Sequence, residues 1–194
     1  MTEESLPPGQ VRTRKWPVLD LGDRPEIPRE AWSLEVTGAV ERPRRWTWSE
    51  LQELPAVEAT GDFHCVTGWS RLGNRWAGVR LRDLAALAGP RPEARFLLAR
   101  GADRDPASGE PYTADLPLEE ALREEVLLVH TWDGAPLPGE HGGPVRLLVP
   151  RLYAWKSVKW VTGLDFSTED RPGYWERRGY SRRARPWLEE RYAR

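Results

Sequence analysis

The chain has 194 residues, 39% apolar and 30% charged, with 29 basic against 30 acidic side chains for a net charge of −1. That is about one domain with enough apolar residues for a core, and the balanced charge gives no support to a nucleic-acid binder acting through bulk charge or to an acidic disordered tail. A single cysteine, Cys65, excludes an intrachain disulfide framework and any cysteine-cluster zinc or iron–sulfur site.

Residues 1–30 read as an extended arm, rich in proline and charge. The first residues have no basic start and no apolar run, and nowhere do 18 apolar residues follow one another, so neither a secretory signal nor a membrane span is expected, and the expected location is the cytoplasm. From residue 31 to 194 the pattern is that of one domain. Trp32, Leu34 and Val36 alternate with polar residues, which predicts a half-buried strand ending at Gly38. Residues 42–44 read as a turn and 45–47 as a short return. Thr47 followed by Glu50 is a capping-box signature for a helix through Leu54.

Residues 61–70 are polar and glycine-flanked, which predicts a loop carrying Cys65. Leu81, Leu84, Ala85 and Ala88 repeat at helical spacing, and Gly89-Pro90 stops that helix. A buried strand is expected at 95–100, a loop at 103–108 and a short helix at 116–125. A strand at 126–131 closes on the hairpin-like turn Asp133-Gly134. Two further strands are expected at 145–149 and 158–166. Strands outnumber helices without a regular βαβ rhythm. The expected fold class is α+β, a single domain with a mixed, mainly β core and short helices.

Two counts stand out: eleven tryptophans, and a basic set of 26 arginines with only three lysines, two of which, Lys156 and Lys159, are three positions apart. A cysteine hydrolase needs a base beside the thiol, and His64 next to Cys65 on an extended segment points the other way, leaving His130 or His141 as the alternatives. The spacing of the three histidines and one cysteine matches no zinc pattern, and no P-loop or dinucleotide fingerprint occurs. What remains is three segments: Cys65 with Gly68, then residues 141–146, then residues 156–160. His141, Arg146, Ser157 and Lys159 together form a donor set suited to phosphate, Arg binding it bidentately and Lys as a point charge. The plainer alternative makes Arg146 and Lys159 exposed strand residues and His141 a turn residue. Lys156 reads as a solvated neighbour of Lys159, and the seven arginines of residues 177–194 as a solvated tail packed through its aromatics or a basic rim.

Four motifs in order carry a resemblance: Phe63-His64-Cys65-Val66-Thr67-Gly68-Trp69-Ser70, Trp76-Ala77-Gly78-Val79, Glu140-His141-Gly142-Gly143-Pro144-Val145-Arg146, and Lys156-Ser157-Val158-Lys159-Trp160. Together they resemble the molybdopterin-binding domain of the sulfite oxidase family, in its short prokaryotic form without a haem or dimerisation domain. Residues 173–180 resemble that family's C-terminal motif.

The resemblance implies a mononuclear molybdenum–molybdopterin oxidoreductase performing two-electron redox, with oxygen-atom transfer on a small oxyanion or S-oxide and a separate electron-transfer partner. It implies Cys65 as the metal ligand, which explains how one cysteine suffices, since the cofactor brings the other sulfur ligands. It also implies Tyr180 near the substrate, and His64, Asp103, His141, Arg146, Ser157, Val158 and Lys159 around the pterin and its phosphate. The arginine that the animal and plant enzymes place soon after the cysteine is displaced here, where the stretch reads Gly68-Trp69-Ser70-Arg71. The alternative function is a non-catalytic molybdopterin-binding or interaction module.

Overall fold

A computed structural model describes residues 5–193. In chain order its elements are β1 (Val11–Arg12), β2 (Ser33–Gly38), β3 (Arg44–Thr47), α1 (Trp48–Gln52), β4 (Ala56–Cys65), β5 (Trp69–Arg80), α2 (Leu81–Ala88), β6 (Phe96–Arg104), β7 (Pro111–Pro117), α3 (Leu118–Ala121), β8 (Leu127–Trp132), β9 (Ala135–Pro136), β10 (Arg146–Leu148) and β11 (Val161–Ser167), with short 3₁₀ turns between several of them. The fold is the expected α+β domain: two mixed sheets and a few short helices.

The alternation at Trp32, Leu34 and Val36 becomes β2, whose apolar side chains are all buried. β2 is paired by β3 on one edge and, in parallel, by β11 on the other; β6 and β7 complete a five-stranded sheet. Thr47 caps α1 in a full capping box with Glu50. Leu81, Leu84, Ala85 and Ala88 form the buried stripe of α2, and Gly89 ends it in the left-handed conformation, φ 68°. The turn Asp133-Gly134 joins β8 to β9.

The stretch 61–70 is not a loop. β4 and β5 form a long antiparallel hairpin, with Cys65 as the last residue of β4 opposite Trp69. Its glycines and polar residues are accommodated by an irregularity between Gly61 and Phe63. β5 is the spine of the second, six-stranded sheet: β4 lies along it, and β1 and β8 pair with its two ends. Where β5 meets β8, a Cβ on Gly78 would lie 2.1 Å from the Leu128 carbonyl oxygen, so only glycine fits that crossing.

Two other expectations are corrected. The loop expected at 103–108 begins inside β6, which runs to Arg104. The helix expected at 116–125 is only the four-residue α3, because residues 111–117 are the strand β7, held by ladder bonds to β6. Among the described residues the arm is bonded to the domain. The Val11 and Thr13 amides donate to the Gly68 and Ser70 carbonyls, so the arm runs beside the Cys65 hairpin. No helix among the described residues is long and apolar enough to cross a membrane.

Candidate functional site

The hairpin turn after Cys65, the arm, β6, β7, residues 139–159 and residues 175–180 surround a cavity of about 330 Å³. Of the residues named from the sequence, Cys65, Asp103, His141, Arg146, Ser157, Lys159 and Tyr180 line it. His64 and Val158 do not. Strand alternation turns His64 away from Cys65, and its Nδ1 lies 2.7 Å from Ser70 Oγ, while Val158 is wholly buried in the core.

Cys65 is buried, with Sγ 3.1 Å from Thr67 Oγ1, and burial raises its thiol above the ordinary range. Its carbonyl accepts the Gln10 side-chain amide at 3.0 Å, which ties the arm to the hairpin turn. Among the described residues no three His, Cys, Asp or Glu side chains are grouped as a metal cage, and the cavity offers one thiol.

Facing it is a cluster of cations and donors. His141 ends a short 3₁₀ turn, and the next residue, Gly142, has φ 100° and sits so close that a Cβ would lie 2.8 Å from the Lys159 Cα. That close approach, between residues 17 positions apart, joins two of the sequence segments. The His141 ring stacks on Trp16 of the arm, centroids 3.7 Å apart and planes 5° off parallel. Burial and the Arg146 charge lower His141 to about 4, so the imidazole is neutral at pH 7.

Arg146, at the start of β10, spans the cluster. Nη1 donates to the His141 carbonyl at 2.9 Å and Nη2 to the Ser157 carbonyl at 2.8 Å, while Nε is buried without a partner. Lys159 Nζ donates to the Glu140 carbonyl at 2.9 Å and lies 3.9 Å from the Asp20 carboxylate; burial, then Arg146, lowers it to about 8. Ser157 Oγ accepts the Val149 amide at 2.9 Å and keeps its own proton to donate.

Asp103 lies 3% exposed on β6 with Oδ1 unpartnered. Burial raises its carboxyl to about 7. The folded protein therefore holds a proton there, between roughly pH 4 and 7, that the unfolded chain has released, and stability falls as pH rises through that window. Asp103→Asn removes the charge and keeps the shape. We expect the metal-free variant to melt higher than wild type by about 3 °C or more at pH 8.5, with the gap closing toward pH 4.5. Thermal melts across that range check it.

Lys156 is not a solvated neighbour. It is fully buried, with Nζ 3.0 Å from Asp115 Oδ1 and 2.6 Å from Glu176 Oε1. Glu176 also accepts the Trp155 indole N–H at 3.0 Å, and Trp155 forms cavity wall with Trp175, Tyr180 and Tyr112. The tail is packed through its aromatics, with Tyr180 edge-on to Trp155 at 5.1 Å, and several of its arginines are paired: Arg182 with Asp115, Arg185 with Glu190 and Arg178 with Glu110. Arg71, the displaced arginine, does not line the cavity; its guanidinium pairs with Asp133 at 2.8 Å and lies over Trp132.

Sequence reasoning did not single out Tyr112, Asp20 or Trp155. Tyr112 lies between the loop expected at 103–108 and the helix expected at 116–125, in a stretch for which no element is expected and which forms β7.

One buried thiol opposite a compact set of phosphate-type donors, on a mixed-β scaffold, defines a domain that holds a metal-bearing cofactor. Residues 21–175 match the family of oxidoreductase molybdopterin binding domains, and the chain belongs to that family, as a sulfite oxidase-type molybdopterin-binding domain. It is 42% identical over 188 residues to the oxidoreductase YuiH of Bacillus subtilis (strain 168), covering 96% of this chain and 91% of that protein. It is 34% identical over 167 residues to the mitochondrial sulfite oxidase of Mus musculus, covering 84% of this chain and 29% of that one. In structure it is similar to the sulfane dehydrogenase SoxCD of Paracoccus pantotrophus, with TM-score 0.66, 28% identity and coverage of 75% of this chain and 40% of that one. The chain thus spans nearly all of YuiH but less than half of the other two.

Proposed function

We propose that this oxidoreductase carries out a two-electron oxygen-atom transfer on a small sulfur oxyanion or S-oxide, with molybdenum–molybdopterin held in the cavity beside Cys65. For an S-oxide the balance is two electrons and two protons in, a thioether and water out; for sulfite it is water in, sulfate with two electrons and two protons out. The names of the sulfite oxidase and sulfane dehydrogenase relatives favour sulfur chemistry. The observation that carries the reading is the meeting of the single buried thiol with two unpartnered buried polar atoms, Arg146 Nε and Asp103 Oδ1, in one cavity. Buried polar groups are left unpaired at a cost, and a polar ligand removes it.

The residues fit the cofactor. The Cys65 thiolate is a soft ligand for a soft redox metal. Arg146 Nε, the Ser157 hydroxyl and Lys159 are the donors for the pterin and its phosphate, beside neutral His141. Asp103, about half protonated at neutrality, would offer an acceptor and, when protonated, a donor to the pterin. His64 and Val158 act at one remove: His64 locks the hairpin through Ser70, and Val158 anchors the Ser157–Lys159 segment in the core. Tyr180 stands on the same wall as Trp155 to meet the substrate. The bound group supplies the two-electron redox chemistry, and the chain excludes water and orients substrate and protons around it.

Protein made in a molybdenum-competent host is expected to carry about one Mo per chain with equimolar pterin. Arg146→Ala and Lys159→Ala are each expected to lower the pterin content of purified protein about tenfold or more, because a charge-assisted contact contributes about 1.5–3 kcal/mol. Unchanged occupancy in both variants sinks the phosphate assignment. Full occupancy with no turnover on sulfite or on S-oxides favours the non-catalytic module.

A further inference from the structure

Among the described residues, six large apolar side chains are exposed, and five of them, Val11, Leu19, Trp187, Leu188 and Tyr192, lie on the arm and the tail. These two segments touch, since Arg191 Nη2 donates to the Gly9 carbonyl at 3.2 Å, and within the tail Tyr192 pairs with Tyr180 across a bridge. Both also reach the cavity, Leu19 and Tyr180 being part of its wall. The exposed apolar side chains are therefore concentrated on two segments that touch each other and that each reach the cavity wall. Singly scattered apolar residues need no explanation, but a gathered patch marks an interaction site.

The same two segments are basic. Residues 10–21 hold three basic side chains and one acidic, and residues 177–193 six arginines and two glutamates, within a chain of net charge −1. The remainder of the chain is correspondingly acidic. Most tail arginines are spent on internal pairs, but Arg14, Lys15 and Arg183 are exposed and make no ion pair among the described residues. Uncompensated cations around an apolar patch are complementary to an acidic surface with an apolar centre. Such complementarity acts chiefly on encounter rate and falls with salt.

We propose that this arm-and-tail face is the docking surface for an acidic electron-carrier protein. The inference rests on the redox reading above. A carrier exchanging electrons with a buried centre must sit where that centre is nearest the surface, and both segments of this surface supply cavity wall, Leu19 from the arm and Tyr180 from the tail. An anionic membrane lying here would seal the mouth against substrate, which is why a carrier that binds and leaves is the occupant argued for.

The test measures binding of the metal-loaded protein to three acidic carriers, a flavodoxin, a plant-type ferredoxin and an acidic c-type cytochrome, at 20 mM and 500 mM salt. Turnover driven by a small dye and turnover driven by each carrier are measured alongside. At least one carrier is expected to bind at low salt and weaken about tenfold or more at high salt. The triple variant Arg14→Glu, Lys15→Glu, Arg183→Glu is expected to lose about tenfold in carrier affinity while dye-driven turnover stays within twofold. If dye-driven turnover is normal but no carrier binds in a salt-sensitive way, or the triple variant binds as well as wild type, the docking proposal is wrong. Binding to phosphatidylglycerol vesicles in place of the carriers, or a concentration-dependent dimer broken by Trp187→Ser and Tyr192→Ser, also overturns it, in favour of a membrane or a second copy. Absence of dye-driven turnover in metal-loaded wild type fails the redox reading instead, and the binding measurements still decide the surface.

Discussion

Cys65→Ser protein is expected to fold, to keep a melting point in the metal-free state within about 3 °C of wild type, and to lose turnover by about 100-fold or more. The fold survives because the serine hydroxyl takes the same place at the end of β4, keeps the contact now made at 3.1 Å to Thr67 Oγ1, and leaves the hairpin ladder to Trp69 untouched. The change in buried volume is small, so little cavity cost arises. Turnover falls because the hydroxyl is a hard, weakly acidic donor where a soft thiolate is wanted. Even outer-shell partners of a metal ligand cost about 10–100-fold when removed, and a ligand itself costs more. The measurements are calorimetric melting of metal-free protein, molybdenum per chain, and initial rates with an S-oxide and with sulfite. Full turnover in a molybdenum-loaded serine variant removes Cys65 from the metal.

The parts of this site that were legible in the sequence are those carried by local patterns. Trp32, Leu34 and Val36 announced β2 by alternation, Thr47 and Glu50 announced α1 by a capping box, and Gly89 announced the end of α2. The motifs around Cys65, His141 and Lys159 were legible as a family likeness, and their side chains meet in one cavity. What was not legible depends on partners remote in sequence. Residues 61–70 read as a loop because Gly61, Asp62 and Gly68 weaken the strand pattern, and the ladder between β4 and β5 overrides that composition. Trp16 and His141 are 125 positions apart, and nothing local to either foretells that their rings stack. Residues 116–125 contain good helix formers, yet pairing of Leu116 with Leu97 keeps the first of them in β7. Part of the tryptophan excess now has an account: Trp16, Trp69, Trp155 and Trp175 are cavity wall, and Trp16 packs edge-on against Trp76 and Trp132.

Lys156 is the sharpest case, because its neighbours in sequence gave it the opposite meaning. Its ammonium is wholly buried and welded to Asp115 of β7 and Glu176 of the tail. We expect Lys156→Met to destabilise the metal-free protein by about 3–5 kcal/mol, since removing one partner of a buried ion pair leaves charge uncompensated. For a domain of this size that is a fall of about 10 °C or more in melting point. The loss is also pH-dependent, and the sign is fixed. Lys156 and Arg182 now hold Asp115 below the ordinary carboxylate range against its burial. Burial already holds the Glu176 carboxyl above the ordinary carboxylate range, and without Lys156 it rises further, so the folded variant binds more protons than the unfolded chain above that ordinary range and its stability falls as pH rises. The variant should therefore recover part of its deficit on acidification from pH 8 to pH 5. Lys156→Met combined with Glu176→Met should recover part of it at pH 8, because the second buried charge is gone while Asp115 keeps Arg182 at 2.7 Å. Recovery stays incomplete, because the Trp155 indole then loses the carboxylate that accepts its N–H. That residual defect lies on the cavity wall, so the double variant should show a raised KM with a smaller change in kcat. A double variant with wild-type stability and wild-type KM would mean that the buried triad does not position the wall at all.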